Sequence, residues 1–149
     1  VCLGLQLIMS ESYEFGHHQG LGLFEGSVVR LESDKINPTK RFKVPHVAWS
    51  QVYSNENSQT PWQQSLLSSI DSGEYMYFVH SYYVKPKDPT LVLSWTTYGD
   101  VKFCSSIQHK NIMACQFHPE RSGAKGLSIY RNFFNLINER ESNATGHRS

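Results

Sequence analysis

Val1-Cys2-Leu3-Gly4-Leu5-Gln6-Leu7-Ile8 opens the chain and decides how the rest is read. Leu3, Leu7 and Ile8 fall on one face at helical spacing, so the periodicity predicts a helix over residues 3–14. Cys2 stands just before it. The positive end of that helix would lower the thiol pKa, and the backbone N–H of Leu3 would face a developing oxyanion. Cys-x-Gly (Cys2, Gly4) resembles the second half of a nucleophile elbow, whose first half would lie before residue 1. The plainer reading is a small buried thiol. The chain starts at Val1, not Met, inside an apolar segment, a start expected of a cut chain.

A cysteine nucleophile needs a base, and the base needs an orienting group. His118-Pro119-Glu120 supplies both. Pro119 biases His118 to an extended conformation, in which residues i and i+2 project together. Glu120 would then fix the imidazole tautomer and stabilise its charged form. Taken alone, His-Pro-Glu is also a common surface turn. Cys104 and Cys115 sit in predicted strands and read as packing. His17-His18 lacks a third ligand, so no metal site is expected. His46, His80 and His109 have no recognisable partners. There is no P-loop, and Gly20-x-Gly22 lacks the third glycine of a dinucleotide fingerprint.

Between these motifs the chain is rich in strands. Strands are expected at Val28–Leu31, Lys43–Tyr53, Tyr75–Val84, Leu91–Thr97, Val101–Ile107 and Ile112–Phe117, with a hairpin turn at Tyr98-Gly99-Asp100. Asp34–Arg41 and Ser54–Gln64 read as polar loops, Trp62–Ile70 as one or two helical turns, and Gly123–Gly126 as a loop. Leu127, Tyr130, Phe134 and Ile137 form a helical stripe, read as core, on a last helix of about four turns. A polar tail follows from Ser142, giving one domain over 1–141 and a tail over 142–149. A strand-rich middle between two helices suggests α+β or part of an α/β fold.

The 149 residues, 39% hydrophobic and 18% charged, suit one domain with a packed core. A net charge of +1 gives no electrostatic footprint for nucleic acid or an anionic membrane. No apolar run approaches the roughly 20 residues that span a bilayer, and no signal peptide is visible. Three cysteines without a CxxC pair argue against a disulfide framework and favour a cytoplasmic setting.

Taken together, the segments resemble the class I (triad) glutamine amidotransferases. Val1-Cys2-Leu3-Gly4-Leu5-Gln6 is similar to their nucleophile motif and Gln116-Phe117-His118-Pro119-Glu120 to their His-x-Glu motif. Gly20-Leu21-Gly22-Leu23 with Gly26, Lys43-Val44-Pro45-His46-Val47 with Trp49, and Tyr77-Phe78-Val79-His80-Ser81-Tyr82 are similar to the HisH-type glutaminase subunits of imidazole glycerol phosphate synthase. The resemblance implies an α/β fold, a flavodoxin-like mixed sheet flanked by helices, of which this chain is the C-terminal portion. It implies a Cys2-His118-Glu120 triad that hydrolyses L-glutamine without a cofactor. Gly4, Gln6, Glu14, Ser81 and Tyr82 would line the substrate site. Pro45, His46, Val47 and Trp49 would face a HisF-type (β/α)8-barrel synthase that receives the ammonia.

Three departures bear on that reading. The strands and helices that precede the cysteine in the family are absent, so exposed apolar surface and poor autonomous folding are expected. The usual Gly-Trp-Asn is Ala48-Trp49-Ser50. Ser54–Ile70 is longer and more polar than the family pattern. Cys104-Ser105-Ser106-Ile107 and Cys115 are similar to a paralogous branch that builds an amidino group on a surface-polysaccharide sugar. Beside the histidine-biosynthetic reading stand that branch and a non-catalytic protein that only docks on a synthase.

Overall fold

A computed structural model of the chain describes residues 1–33 and 41–145, with 139–145 described by backbone alone. Most of the loop read at Asp34–Arg41 and residues 146–149 of the tail lie outside the described residues. Strands β1 (Met9–Ser12), β2 (His18–Gln19), β3 (Phe24–Arg30) and β6 (Tyr82–Pro86) form a four-stranded sheet in the order β2-β1-β3-β6, with β1 and β3 parallel. Strands β4 (His46–Ser54), β5 (Glu74–His80), β7 (Val92–Tyr98), β8 (Val101–His109) and β9 (Ile112–Cys115) form an antiparallel sheet in the order β5-β4-β7-β8-β9. Helices α1 (Leu3–Leu7) and α2 (Gly123–Thr145) stand at the two ends of the described chain.

The β7–β8 hairpin is apolar on both faces, and a cluster lies on each. Val92, Cys104 and Ile107 pack with Leu5, Met9, Val28 and Val84. Leu93 and Phe103 pack with Phe78, Phe117, Leu67 and Ile129. Phe103–Gln108 is buried at every position, its polar Ser105, Ser106 and Gln108 included, and so lacks the alternation of a half-exposed strand. The edge-to-face rings of Phe78, Phe103 and Phe117 fill the second cluster. Each such ring contributes several kcal/mol through burial and contact, about 3–5 when truncated to alanine.

Several local expectations give way to tertiary contacts. The first helix stops at Leu7, not residue 14, and Met9–Ser12 is a strand. The carbonyls of Leu7, Ile8, Met9 and Ser10 accept from Leu21, Phe24, Gly22 and Gly20, so the backbone has better-placed partners than the next helical turn. Gly20 makes this possible, because a Cβ there would overlap the Met9 carbonyl. The single strand expected at Tyr75–Val84 breaks at Ser81: β5 pairs with β4 in one sheet and β6 with β3 in the other. Gly123–Gly126 is the first turn of α2, not a loop. Gly126 lies so close to the Pro119 carbonyl that a side chain would overlap it, and this fit outweighs glycine's low helix propensity. The same fit turns Ile129 into the core and leaves Leu127, Tyr130, Phe134 and Ile137 exposed, so that stripe is surface. Helix α2 also continues through Thr145, past the point where the polar tail was expected to begin. Leu3 and Leu7 are exposed as well.

Candidate active site

Cys2 caps α1 in a sharp turn, with φ 49° and ψ −102°. A positive φ is costly for a residue with a side chain, about 1–3 kcal/mol, and is retained where the surroundings hold it. Here the Cys2 N–H donates to the Cys115 carbonyl at 2.7 Å, tying the turn to the end of β9. The carbonyl of Cys2 accepts from Leu5 at 3.0 Å, which starts the helix. A Cβ at Gly4 would meet nothing within 4 Å, so the space beside the turn is open.

The thiol is not acidified as the sequence suggests. Burial raises its pKa, outweighing hydrogen bonds from the Gln116 side chain and the Leu3 backbone N–H that act the other way. A five-residue helix has too small a dipole to reverse that. The Leu3 N–H does lie at the sulfur. Gln116, fully buried, donates from Nε2 to Cys2 Sγ at 3.4 Å. Sequence reading overlooked Gln116, although it stands two residues before His118.

His118 is extended, as Pro119 requires, with φ −105° and ψ 96°. Glu120 is reached differently from the expected extended stretch. Pro119–Arg121 is a 3-10 turn that folds the carboxylate back, and Oε1 meets His118 Nδ1 at 2.7 Å. Burial opposes ionisation of Glu120, but its own backbone N–H and the His118 ring together hold the carboxyl below its usual range. Tyr130 of α2 donates to the other oxygen, Oε2, at 3.4 Å. The backbone of His118 is fixed from both sides. Its N–H donates to the Tyr77 carbonyl of β5, and its carbonyl accepts from Ser122 Oγ at 2.7 Å. Ser122 Oγ in turn accepts from the Tyr77 N–H. Ser122 was legible as a hydroxyl four residues after His118, a spacing that bonds back to the chain. Tyr130 was not, because it shared the apolar stripe of α2.

With Nδ1–H directed at an ionised Glu120, the neutral ring presents a lone pair at Nε2. That nitrogen is buried and has no hydrogen-bond partner among the described residues. A buried, unpaired acceptor is rare and marks a place where a proton can be received. The chemistry available is therefore a thiol at the apex of a strained turn, a backbone N–H beside it, and an oriented base.

The remaining expected residues divide. Gln6 is drawn in: its Nε2 donates to the Tyr82 carbonyl at 3.0 Å and lies 3.5 Å from Gln116 Oε1. Tyr82 thus enters through its backbone, and the Ser81 carbonyl beside it accepts from Leu31. Glu14 sits beyond β1 with its N–H on Ser12 Oγ and makes no hydrogen bond to Cys2, His118 or Glu120. Pro45, just before β4, is exposed, and Val47 and Trp49 on β4 are 52% and 51% exposed on one face. His46 is 0% exposed and points the other way, so it cannot be surface for a partner. Its ring stacks on Phe78 and Tyr98 and bonds to His80. Both histidines have partners that the sequence did not reveal. Cys104 is buried and its thiol pKa is pushed up, while burial raises Cys115 to about 12, in keeping with packing roles. His17 bonds Glu11, and no group of three or more metal-ligating side chains occurs among the described residues. No helix among them is long and apolar enough to cross a membrane.

Residues 1–137 match the family described as Glutamine amidotransferase class-I. The chain is 47% identical over 133 residues to the imidazole glycerol phosphate synthase subunit HisH of Syntrophotalea carbinolica, covering 89% of this chain and 61% of that protein. It is 42% identical over 133 residues to the HisH subunit of Aquifex aeolicus, covering 89% and 58%. To that of Pyrococcus furiosus it is 39% identical over 136 residues, covering 91% and 63%. The chain spans about three fifths of the length of these curated relatives.

Proposed function

This chain belongs to the class I glutamine amidotransferase family, and from that premise we propose that it carries the catalytic part of a subunit that hydrolyses L-glutamine to glutamate and ammonia. Cys2 Sγ attacks the side-chain amide carbon. The thiol proton passes to His118 Nε2, while the Leu3 N–H faces the developing oxyanion. His118 then gives that proton to the departing nitrogen, which leaves as ammonia from a glutamyl thioester on Cys2. Water, giving a proton to the same Nε2, attacks the thioester and releases glutamate and the free thiol. Glu120, held between His118 and Tyr130, keeps the ring in the tautomer that every step requires. Gly4, Gln6, Glu14, Ser81 and Tyr82 line the site for the amino-acid end of glutamine.

The observation that carries this reading is the buried, unpaired Nε2 of His118, with Nδ1 engaged by Glu120 and the Cys2 turn beside the same strand end. The thiol rests on Gln116, so substrate entry must turn Sγ toward Nε2; catalytic hydrogen bonds often tighten only in the substrate complex. The relatives' name, imidazole glycerol phosphate synthase subunit HisH, supports a place in that synthase, and the motif resemblance extends the reading to ammonia delivery to a (β/α)8-barrel partner of the HisF type in histidine biosynthesis. Pro45, Val47 and Trp49 form the surface offered to it, and residues 1–141 form the amidotransferase domain. Three free cysteines suit a reducing, cytoplasmic setting.

The test is partner-stimulated glutamate release by the full-length subunit mixed with the barrel synthase. Cys2→Ser and His118→Ala are each expected to lower turnover by about a thousandfold or more while binding of the synthase persists. Near-normal turnover in either variant removes the triad. Stimulation by the synthase of the amidino-sugar branch alone would reassign the pathway.

A further inference from the structure

Between β4 and β5 lies a buried group that the triad does not use. His46 and His80 are register partners across the two strands. His46 Nδ1 is 3.0 Å from His80 Nε2, His80 Nδ1 is 2.8 Å from the Tyr82 carbonyl, and His46 Nε2 is 2.9 Å from Ser50 Oγ. The carbonyl can only accept, so His80 donates from Nδ1. A neutral His80 must then accept at Nε2, and His46 donates from Nδ1. His46 Nε2 is left to accept from the Ser50 hydroxyl. Burial favours the neutral forms, helped at His46 by the His80 ring and at His80 by the His118 ring, with pKa values near 3 for His46 and near 4 for His80. Every proton in the series therefore has one position.

The series does not end at Tyr82. The same carbonyl accepts from Gln6 Nε2 at 3.0 Å, the Gln6 amide faces Gln116 Oε1 at 3.5 Å, and Gln116 Nε2 donates to Cys2 Sγ at 3.4 Å. Which end of the Gln116 amide meets the sulfur is thereby set. An amide N–H at the thiol favours the thiolate; a carbonyl oxygen there would oppose it.

We propose that His46 and His80 are positioning residues for the nucleophile, acting through the Tyr82 carbonyl, Gln6 and Gln116 to hold an N–H donor on Cys2 Sγ. The proposal rests on the reading of Cys2 as the glutaminase nucleophile. Its outer end is Ser50, next in sequence to the exposed Trp49, so a change at the surface of β4 has a continuous hydrogen-bonded route to the sulfur.

The test uses the full-length subunit with its synthase and three variants. His46→Phe keeps an aromatic ring between Phe78 and Tyr98 but has no donor. His46→Asn returns an N–H near the position of Nδ1. Ser50→Ala removes only the outer donor. Glutamine kcat and KM are measured alongside the rate at which iodoacetamide alkylates Cys2 at fixed pH. His46→Phe is expected to lower both kcat and Cys2 alkylation about tenfold, the loss of one hydrogen bond to a charged group, with KM within about twofold. His46→Asn should recover most of both. Rates within about twofold of the parent in His46→Phe, or no recovery in His46→Asn, overturn the proposal. Unfolding would also lower kcat but would raise alkylation, at Cys2 and at the otherwise buried Cys104. Should His46→Phe expose Cys104, Ser50→Ala decides, with a fall of about threefold expected and unchanged rates counting against the chain of bonds. If the parent subunit hydrolyses no glutamine, the functional reading fails by itself. The alkylation rates of parent, His46→Phe and His46→Asn then still decide the positioning role.

Discussion

His118 and His46 are both imidazoles held by a second titratable side chain at about 3 Å or less, yet they are built for opposite behaviour. His118 lies at the rim with an ionised carboxylate on Nδ1 and its other nitrogen free. His46 lies in the interior with another imidazole on Nδ1 and a hydroxyl on Nε2, so no nitrogen is spare. A carboxylate partner stabilises the imidazolium and suits a base that must gain and lose a proton. A second neutral ring in a desolvated site penalises protonation and suits a fixed strut. The difference teaches that histidine's role is set by what occupies its second nitrogen and by how much water reaches it.

The comparison can be broken most strongly at Phe78, which stacks on His46 at 5.0 Å and joins Phe103 and Phe117 in the core. Phe78→Ala should cost about 3–5 kcal/mol of stability in urea unfolding. A cost under about 1 kcal/mol would mean that the interior pair is not locked by its packing. The rim is probed by Glu120→Gln, which keeps the shape but removes the charge. It should lower kcat about ten- to a hundredfold with the fold intact, the worth of a charge-assisted hydrogen bond. An unchanged kcat would show that Tyr130 and the turn alone orient His118.

The smallest expected effect is a pH dependence. The pKa values of His46 and His80 are depressed to about 3 and about 4 from 6.5. The unfolded chain therefore binds more protons than the native one between those values, and stability rises with pH across that window. The stabilising preference for neutral rings is fully present above 6.5 and is lost as pH falls toward 3. The urea midpoint of the full-length subunit should thus be lower at pH 5 than at pH 7, and His46→Phe should shrink that difference. An equal difference in the variant would place the titration elsewhere.

How far the site was legible follows from sequence distance. His118 and Glu120 are two residues apart, and a proline between them restricts the geometry. Even so, the extended stretch expected to carry both side chains gives way after His118 to a 3-10 turn, because Ser122 and Tyr77 clamp the His118 backbone from two sides. His46 and His80 are 34 residues apart, and nothing local to either names the other. Its neighbours Pro45, Val47 and Trp49 made His46 look like surface, until strand alternation turned it inward. The run at Tyr75–Val84 is mostly aromatic and β-branched, so propensity could not reveal that Ser81 passes it between two sheets.

The sequence by itself determined the pairing of His118 with Glu120, the Gly99 hairpin and the existence of the last helix. Each rests on residue chemistry or on a spacing of a few positions, where backbone geometry leaves little choice. Only the tertiary structure decided which sheet each strand joins, which face of α2 is covered, that Cys2 rests on Gln116, and that two distant histidines share a hydrogen bond. Those outcomes depend on register and on desolvation, and both arise only when segments far apart in the chain compete for the same partners and exclude the same water.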